Sequence, residues 1–261
     1  MTLPTLSAIL ITRNEALNLP DCLASLQTWV DEVVIVDNGS TDATLAIAEQ
    51  FGARVIRTED WPGFGPQKNR ALDAARCDWV LSIDADERVS PALAQEIRRV
   101  IQSGEAAAYE MPRLSWYCGR FMHHSGWRPD HVLRLFQRGQ ARFSDDWVHE
   151  RVLPLQPVKR LRHDLLHYSY RNFSQVLAKT DAYSSASAQQ AFARGKRASF
   201  GAALGHGLWA FVRTYFLRAG FLDGAHGLAL AISNAETSYY KYLKLWLLSQ
   251  EEASGRGDKA A

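Results

Sequence analysis

The first hundred residues alternate between short apolar runs and longer segments with helical periodicity. The apolar runs are LSAILIT, EVVIVD, RVIRT and DWVLSID, and they are rich in residues that favour strands. The segments that favour helices are residues 20–27, TDATLAIAEQF, PQKNRALDAAR and PALAQEIRRVI. Strands that alternate with helices in this way predict an α/β fold with a mostly parallel sheet that helices cover on both faces.

Two of the predicted strands end on carboxylates. Asp37 closes the second strand, and Asp84 closes the fourth, where Asp86 and Glu87 follow. Ligands of parallel α/β sheets bind at the carboxyl ends of the strands, so we expect these acids at a ligand site. Asp84 and Asp86 project to the same side and can converge on a divalent cation that keeps positions for phosphate oxygens. A turn in which the neighbours of Asp37 cap the next helix is compatible with this role.

Residues 109–152 mix strand-forming residues with aromatic residues and arginines and predict a strand-rich platform for an acceptor. Within this stretch lies the segment from Met111 to Arg142. It contains a single acid, Asp130, against Arg113, Arg120, Arg128, Arg134, Arg138 and Arg142. Such a charge balance indicates an anionic partner. Nucleic acid is not expected, because the chain carries no recognised nucleic-acid-binding module. The histidines of this region lack the paired spacing of a zinc site.

From Asn172 onward the pattern turns helical, and aromatic residues interleave with Arg213, Arg218, Lys241 and Lys244. Basic-aromatic amphipathic helices can lie in a membrane interface, whereas a helical cap that packs its aromatic residues on the core is the alternative. No apolar run is long enough to span a bilayer, since charged residues interrupt the most hydrophobic stretch. We therefore expect a protein that associates with a membrane surface without crossing it.

Composition bounds the class of protein. The chain has 261 residues, of which 47% are hydrophobic, and this is enough for a sizeable core. Its three cysteines are scattered without the spacing of a metal or redox motif, and the N-terminus lacks the pattern of a secretory signal. These features predict a cytoplasmic protein.

Four ordered motifs, between Leu6 and Val100, resemble the family 2 glycosyltransferases of the GT-A fold. They are ILITRNEALNL, VVIVDNGSTDAT, GPQKNRAL and WVLSIDADERV. The resemblance implies a nucleotide-sugar donor, in particular a UDP-sugar, and Mg²⁺ or Mn²⁺ as cofactor. It implies that the base and ribose meet Thr12, Glu15 and Asp37, that the donor phosphates lie near Lys68 and Arg70, and that Asp84 and Asp86 form a D-x-D metal motif. The second acid of that motif is usually the direct metal ligand.

The stretch DDWVHE, which contains Asp145, Asp146 and Glu150, narrows the resemblance to bacterial lipopolysaccharide inner-core β-1,4-glucosyltransferases. This subgroup implies transfer of glucose from UDP-glucose, with inversion, to a heptose of an anionic lipid-linked glycan. Inversion in one displacement needs a carboxylate base. We predict Glu150 as the base, inside a β-like run WVHERVL, with Asp146 as the second candidate; a salt bridge between Glu150 and a nearby arginine is the structural alternative.

The resemblance also divides the chain. We expect a nucleotide-sugar-binding half at 1–110, an acceptor-binding half at 111–170, C-terminal amphipathic helices at 171–250 and a disordered tail at 251–261. The enzyme would work on the inner face of the cytoplasmic membrane. A nucleotidyltransferase and a non-catalytic protein that binds nucleotide sugars or anionic glycans are the alternatives. Dehydrogenases and P-loop enzymes are excluded, because the chain lacks their glycine-rich loops.

Overall fold

The computed structural model describes residues 3–145 and 150–257, with side chains for all of these except 253–257. The chain forms two compact units. One contains the chain up to Leu114 together with Asp130–His167, and the other contains Ser115–Pro129 together with the chain from Tyr168 onward. We call them the sheet unit and the helical unit.

The sheet unit begins as an alternation of strands and helices. Its first elements are β1 (Leu6–Thr12), α1 (Leu19–Ala24), β2 (Glu32–Asp37), α2 (Thr44–Gln50), β3 (Arg54–Arg57), α3 (Phe64–Ala74), β4 (Trp79–Ser82), β5 (Glu87–Val89), α4 (Pro91–Ser103) and β6 (Ala108–Tyr117), the last of which continues into the helical unit. The strands are ordered β3-β2-β1-β4, and each neighbouring pair is parallel. The predicted parallel sheet is confirmed, and β1 and β2 have the predicted bounds.

Successive side chains of β1 belong to two different hydrophobic cores. Leu6 and Leu10 pack in a cluster that includes Cys22 of α1, whereas Ile9 packs in a cluster that includes Leu72 of α3. Because both faces of the strand are covered, its sequence is a continuous apolar run.

Local sequence sets the ends of α4. The hydroxyl of Ser90 accepts a hydrogen bond from the Leu93 N–H at 3.2 Å, Pro91 occupies the first turn, and Gly104 ends the helix in the left-handed conformation. The helix then buries Leu93 and Ile97 against the sheet.

The strands that follow are β7 (Arg120–Phe121), β8 (His131–Gln137), β9 (Ala141–Phe143), β10 (Val152–Pro154), β11 (Val158–Arg160) and β12 (Leu165–Tyr170). Strand β8 runs antiparallel to β4 and β6 and extends the sheet, while β12 pairs antiparallel with β5. The strand-rich character expected after residue 111 is confirmed. Through these pairings β8 and β12 bring side chains from the second half of the sequence to the end of β4.

The predicted strand around Glu150 is wrong in extent, because β10 begins only at Val152. The ladder between β9 and β10 ends at the Phe143–Val152 pair. Beyond it, Ser144 closes the end of the ladder: its N–H donates to the Arg151 carbonyl at 2.8 Å, and its hydroxyl accepts from the Arg151 N–H at 3.0 Å.

The helical unit contains α5 (Phe173–Ala193), α6 (Phe200–Val212), a π-helical turn (Arg213–Leu217), a 3-10 turn (Gly220–Asp223) and α7 (Gly224–Gly257). Its core contains Tyr117, Met122, Val176 and Leu230. The end of α7 lies beyond Gln250, where the periodic pattern of the sequence stops. Within the described residues, no helix is both long and apolar enough to cross a membrane.

Asp223 fastens the loop at residues 123–125 to the 3-10 turn. Its carboxylate accepts hydrogen bonds from the N–H groups of His123 at 3.1 Å and His124 at 2.9 Å, and from the Ser125 hydroxyl at 3.1 Å. The turn also packs tightly on α7, since a Cβ at Gly227 would lie 1.8 Å from the Gly220 carbonyl oxygen. The start of α7 and this loop therefore form one closely packed element.

Candidate active site

The carboxyl ends of β1 and β2 meet at Thr12 and Asp37, which are register partners. Asp37 is only 1% exposed, and it accepts hydrogen bonds from the Thr12 hydroxyl at 2.8 Å and the Ser40 hydroxyl at 2.5 Å. The Ser40 N–H donates to its other oxygen at 2.9 Å. Asp37 thus orders the loop after β2. The helix cap expected of its neighbours is wrong, because α2 begins after Ala43 without a side-chain cap.

A cavity of about 360 Å³ lies beside the end of β1, and its lining includes Thr12, Glu15, Trp61 and Phe64. The two aromatic rings meet edge to face with their centroids 4.9 Å apart. Burial raises the pKa of Glu15, and the nearby carboxylate of Asp86 adds to this, although the Asn18 side chain opposes the shift with a hydrogen bond. An apolar slot with a polar edge suits a flat heterocyclic base.

Trp61 and Phe64 were missed by the sequence interpretation. The available signal was a pair of aromatic residues on either side of Pro62 and Gly63, just before the QKNR motif.

The acids after β4 are held by cations from three other elements. Arg134 of β8 binds Asp84 and lies 2.7 Å from a carboxylate oxygen of the fully buried Glu87. Lys68 of α3 lies 3.0 Å from the other oxygen of Asp84, and Arg113 of β6 lies 3.7 Å from Glu87. Burial would raise the pKa of Asp84, but the charges of Arg134 and Lys68 outweigh it and hold that pKa far below its usual range. These cations offset the cost of clustering acids at the end of a buried strand.

Asp86 has a different partner, because one of its carboxylate oxygens lies 3.3 Å from Nε2 of His167. His167 is on β12, whose antiparallel register pairs it with Glu87 of β5. The described residues contain no cluster of three or more histidines, cysteines and acids with metal-binding geometry. Asp86 and His167 can supply two ligands, one oxygen and one nitrogen, to a cation whose other positions go to ligand oxygens and water. The sequence interpretation missed His167, since it stands alone in LLHYSY without motif spacing.

Lys68 connects Glu150, the predicted catalytic base, to the acids after β4. Its ammonium lies 2.7 Å from a carboxylate oxygen of Glu150 and also binds Asp84. Lys68 is buried, with 5% of its surface exposed. The sequence analysis gave a salt bridge between Glu150 and an arginine as the alternative to a catalytic role. In the structure Glu150 does form a salt bridge, but its partner is a lysine. Asp146, the other candidate base, and the adjacent His149 lie outside the described residues.

These groups stand at the carboxyl end of a parallel α/β sheet, and the sequence that carries them matches a known family. The model for glycosyl transferase family 2 matches residues 7–160. The chain is a family 2 glycosyltransferase. The lipopolysaccharide core biosynthesis glycosyltransferase LpsC of Rhizobium meliloti is 31% identical to it, over 92% of this chain and 92% of LpsC. A Rickettsia felis protein named uncharacterized glycosyltransferase is 31% identical over 92% of this chain and 89% of its own length.

Among solved structures, S. aureus TarS matches the glycosyltransferase with a TM-score of 0.49 at 19% identity, over 63% of this chain and 60% of that chain. The family match confirms the predicted family and enzyme class, and the parallel sheet described above agrees with the predicted GT-A fold.

Two groups of basic residues in the glycosyltransferase have partners within the chain. Arg70 lies two positions after Lys68 on α3, so the two side chains point to different sides of the helix. A guanidinium nitrogen of Arg70 lies 2.6 Å from a carboxylate oxygen of Asp60. Most arginines of the 111–142 segment are also engaged, with partners Asp130 for Arg113, Asp84 and Glu87 for Arg134, Asp73 for Arg142, the Cys77 carbonyl for Arg138 and the Asp223 carbonyl for Arg120. Much of this positive charge therefore stabilises the fold.

Proposed function

We propose that this chain transfers a hexose, with glucose from UDP-glucose as the first candidate, to a heptose of an anionic lipid-linked glycan of the lipopolysaccharide inner-core type. The observation that carries the proposal is the convergence of Glu150, Lys68 and Asp84 beside the Asp86–His167 pair. Similarity to LpsC over nearly the whole chain supports the acceptor class.

The donor would bind along the carboxyl ends of β1, β2 and β4. Its uracil fits the slot of Trp61 and Phe64, with Thr12 and Glu15 at the polar edge and Asp37 holding the adjacent loop. Lys68, which binds Asp84 after β4, would be a cation for the diphosphate. Arg70, bound to Asp60, would have to change partners before it reached a phosphate.

Asp86 and His167 would hold the divalent cation, and Asp84 would orient the site while its own charge is met by Lys68 and Arg134. An imidazole ligand favours Mn²⁺ over Mg²⁺, which prefers a shell of oxygen ligands. When bound, the cation neutralises the charge that develops on the leaving diphosphate. The leaving group then requires no protein acid.

Glu150 would accept the proton of the attacking acceptor hydroxyl, and Lys68 would keep the carboxylate in position. Attack on the face of the anomeric carbon opposite the diphosphate inverts the configuration, so an α-linked UDP-glucose gives a β-linked product.

The enzyme would meet its acceptor at the inner face of the cytoplasmic membrane. In the helical unit, Leu208, Trp209, Phe216 and Leu217 are each more than half exposed, and basic residues lie close to them in the sequence. Exposed apolar side chains with neighbouring cations are typical of surfaces that dock on anionic bilayers.

The proposed function is tested by incubating the protein with UDP-glucose and other UDP-sugars, Mn²⁺ or Mg²⁺, and lipopolysaccharide truncated at the inner core. We expect UDP release that requires both metal and acceptor, and a β-linked product by NMR. Release of pyrophosphate would indicate a nucleotidyltransferase, and binding of UDP-sugar without turnover for any acceptor would indicate a binding protein.

A further inference from the structure

The helical unit contains a cavity of about 430 Å³ that the catalytic proposal does not use. Its walls come from the loop at residues 125–127, from α5, from the end of α6 with the π-helical turn, and from α7. The residues that matter for its chemistry are Arg213, Arg218, Lys241, Asn234, Thr237 and Ser238. The three cations are the donors available to a ligand, because the hydroxyl groups of Thr237 and Ser238 already donate to the Ser233 and His206 carbonyls.

The charge of this cavity is uncompensated. Among the residues that the structure describes, no acid lines the cavity, and none of Arg213, Arg218 and Lys241 has a carboxylate oxygen within 4.0 Å. This differs from Arg113, Arg134 and Arg142, each of which has an acidic partner. Three like charges around one cavity repel one another unless an anion occupies it.

The backbone holds one of these cations in place. Gly126 has φ +80°, and a Cβ at this position would lie 2.3 Å from a guanidinium nitrogen of Arg218. The Ser125 N–H also donates to the Arg218 carbonyl at 2.9 Å. Because Asp223 fixes the same loop through His123 and His124, Arg218 lies against a wall that is already ordered. A preorganised cation loses less entropy when it binds an anion.

Arg213 begins the π-helical turn and Arg218 directly follows it; such turns are rare and are frequent at functional sites. The same turn and the adjacent 3-10 turn expose Phe216, Leu217 and Leu222, each more than half accessible. An anion in this cavity would therefore have apolar protein surface close by, as a phosphate on a lipid-anchored molecule requires.

We propose that this cavity binds a phosphate group carried by the lipid-linked acceptor. The proposal rests on the proposed function, because it assigns the acceptor. A guanidinium group can donate two parallel hydrogen bonds to two phosphate oxygens, and the Lys241 ammonium supplies further donors. The same chemistry would also fit the phosphate of an ordinary phospholipid, and the experiment below separates the two sources.

The test compares the double variant Arg213→Gln/Arg218→Gln with Arg194→Gln/Lys196→Gln, which removes the same charge from exposed positions near the end of α5. We expect the cavity variant to raise the acceptor KM at least ~10-fold while the UDP-glucose KM stays unchanged. Phosphatase-treated acceptor should abolish the difference between the cavity variant and the wild type. An acceptor KM equal to that of the control variant would overturn the proposal.

Lys241→Gln provides a second variant in case the double variant folds poorly, and Lys241→Arg should restore the acceptor KM. Co-sedimentation then identifies the source of phosphate without any need for turnover. The wild-type protein should sediment with phosphatidylcholine vesicles that carry phosphorylated acceptor, and the cavity variant should not. With vesicles that carry dephosphorylated acceptor, the two proteins should sediment to the same extent. If the variant loses only its binding to phosphatidylglycerol vesicles and keeps its acceptor KM in detergent, the acceptor assignment is wrong. Because binding is measured separately, a chain that binds this acceptor without transferring sugar would contradict the proposed function alone.

Discussion

Lys68 is a buried ammonium that two carboxylates share, one after β4 and one before β10. It joins parts of the sequence that no local motif connects. The side chains of Asp84 and Glu150 are only 33% and 17% exposed, so Lys68 offsets part of the cost of burying both charges, and Arg134 is a second partner of Asp84 alone.

Replacement of Lys68 by methionine should destabilise the protein by roughly 3 kcal/mol, because it leaves Asp84 and Glu150 without their common partner. Transfer should be lost as well. Urea unfolding and UDP release measure the two effects. Lys159→Met, which removes an exposed ion pair with Glu105, is the matched control; an unfolding free energy equal to that of the control would contradict the shared role.

Glu150→Gln nearly preserves the shape of the side chain but removes the proposed proton acceptor, so turnover should fall by at least ~10² while UDP-glucose binding is retained. Single-turnover kinetics and calorimetric titration with UDP-glucose provide the measurements, with Glu105→Gln as the exposed control. Turnover within a few-fold of the wild type would move the assignment to Asp146, whose own Asn variant should then be inactive.

Asp86→Ala and His167→Gln should each weaken Mn²⁺ binding in the presence of UDP by ~10-fold or more, because each removes one of the two proposed protein ligands. Electron paramagnetic resonance of free Mn²⁺ reports this without any need for turnover. Asp73→Ala and His206→Gln change an exposed acid and an exposed histidine elsewhere. If the His167 variant binds Mn²⁺ as tightly as its control, the histidine has no part in the metal site.

At the scale of elements, the 3-10 turn and the loop at residues 123–125 are joined by one buried carboxylate, Asp223. Burial would raise the pKa of Asp223, but hydrogen bonds from His123, His124 and Ser125 outweigh it and keep that pKa below its ordinary value. A carboxylate with a depressed pKa in the folded state stabilises the fold above its unfolded pKa, near 3.9, and loses this effect as the pH falls through the folded value.

Asp223→Asn should therefore cost about 2 kcal/mol at neutral pH, since an amide cannot accept from all of these donors. Thermal unfolding between pH 7 and pH 3 should show the gap to the wild type narrowing below about pH 4. Asp73→Asn is the exposed control. A gap that keeps its size down to pH 3 would show that the charge of Asp223 contributes nothing.

The elements that could be predicted from sequence are those whose signal is local. Strands β1 and β2 are continuous apolar runs with polar ends, and their bounds were predicted correctly. The partnership of Lys68, Asp84 and Glu150 depends on pairings that are distant in sequence, and His167 reaches Asp86 only through the β5–β12 register. The π-helical turn has no sequence signature at all, since it arises where α6 gives way to the 3-10 turn.

At the scale of the whole molecule, the proposed reaction would bring a soluble nucleotide sugar to a lipid-anchored acceptor. The enzyme's exposed apolar side chains are concentrated in the helical unit, where α6 exposes Leu208 and Trp209 and the π-helical turn exposes Phe216 and Leu217. A surface of this kind gains free energy when it enters a bilayer interface, and adjacent cations add attraction to anionic lipids.

Trp209→Ser/Phe216→Ser should lower the fraction of protein that sediments with phosphatidylglycerol-containing vesicles, and wild-type binding should weaken as salt is added. The control, Leu153→Ser/Leu155→Ser, removes two exposed apolar side chains from the sheet unit. Failure of the wild-type protein to sediment with such vesicles at low ionic strength would rule out the membrane surface.

The two-segment composition of the helical unit also affects the timing of synthesis. His123, His124 and Ser125 bind a carboxylate that lies 98 to 100 positions further along the chain. At roughly 5–20 residues per second, a ribosome needs about 5–20 s to make that interval, so the loop emerges long before its partner. The sheet unit can close once His167 has been made, whereas a fragment that starts at Tyr168 would never contain the loop to which Asp223 binds.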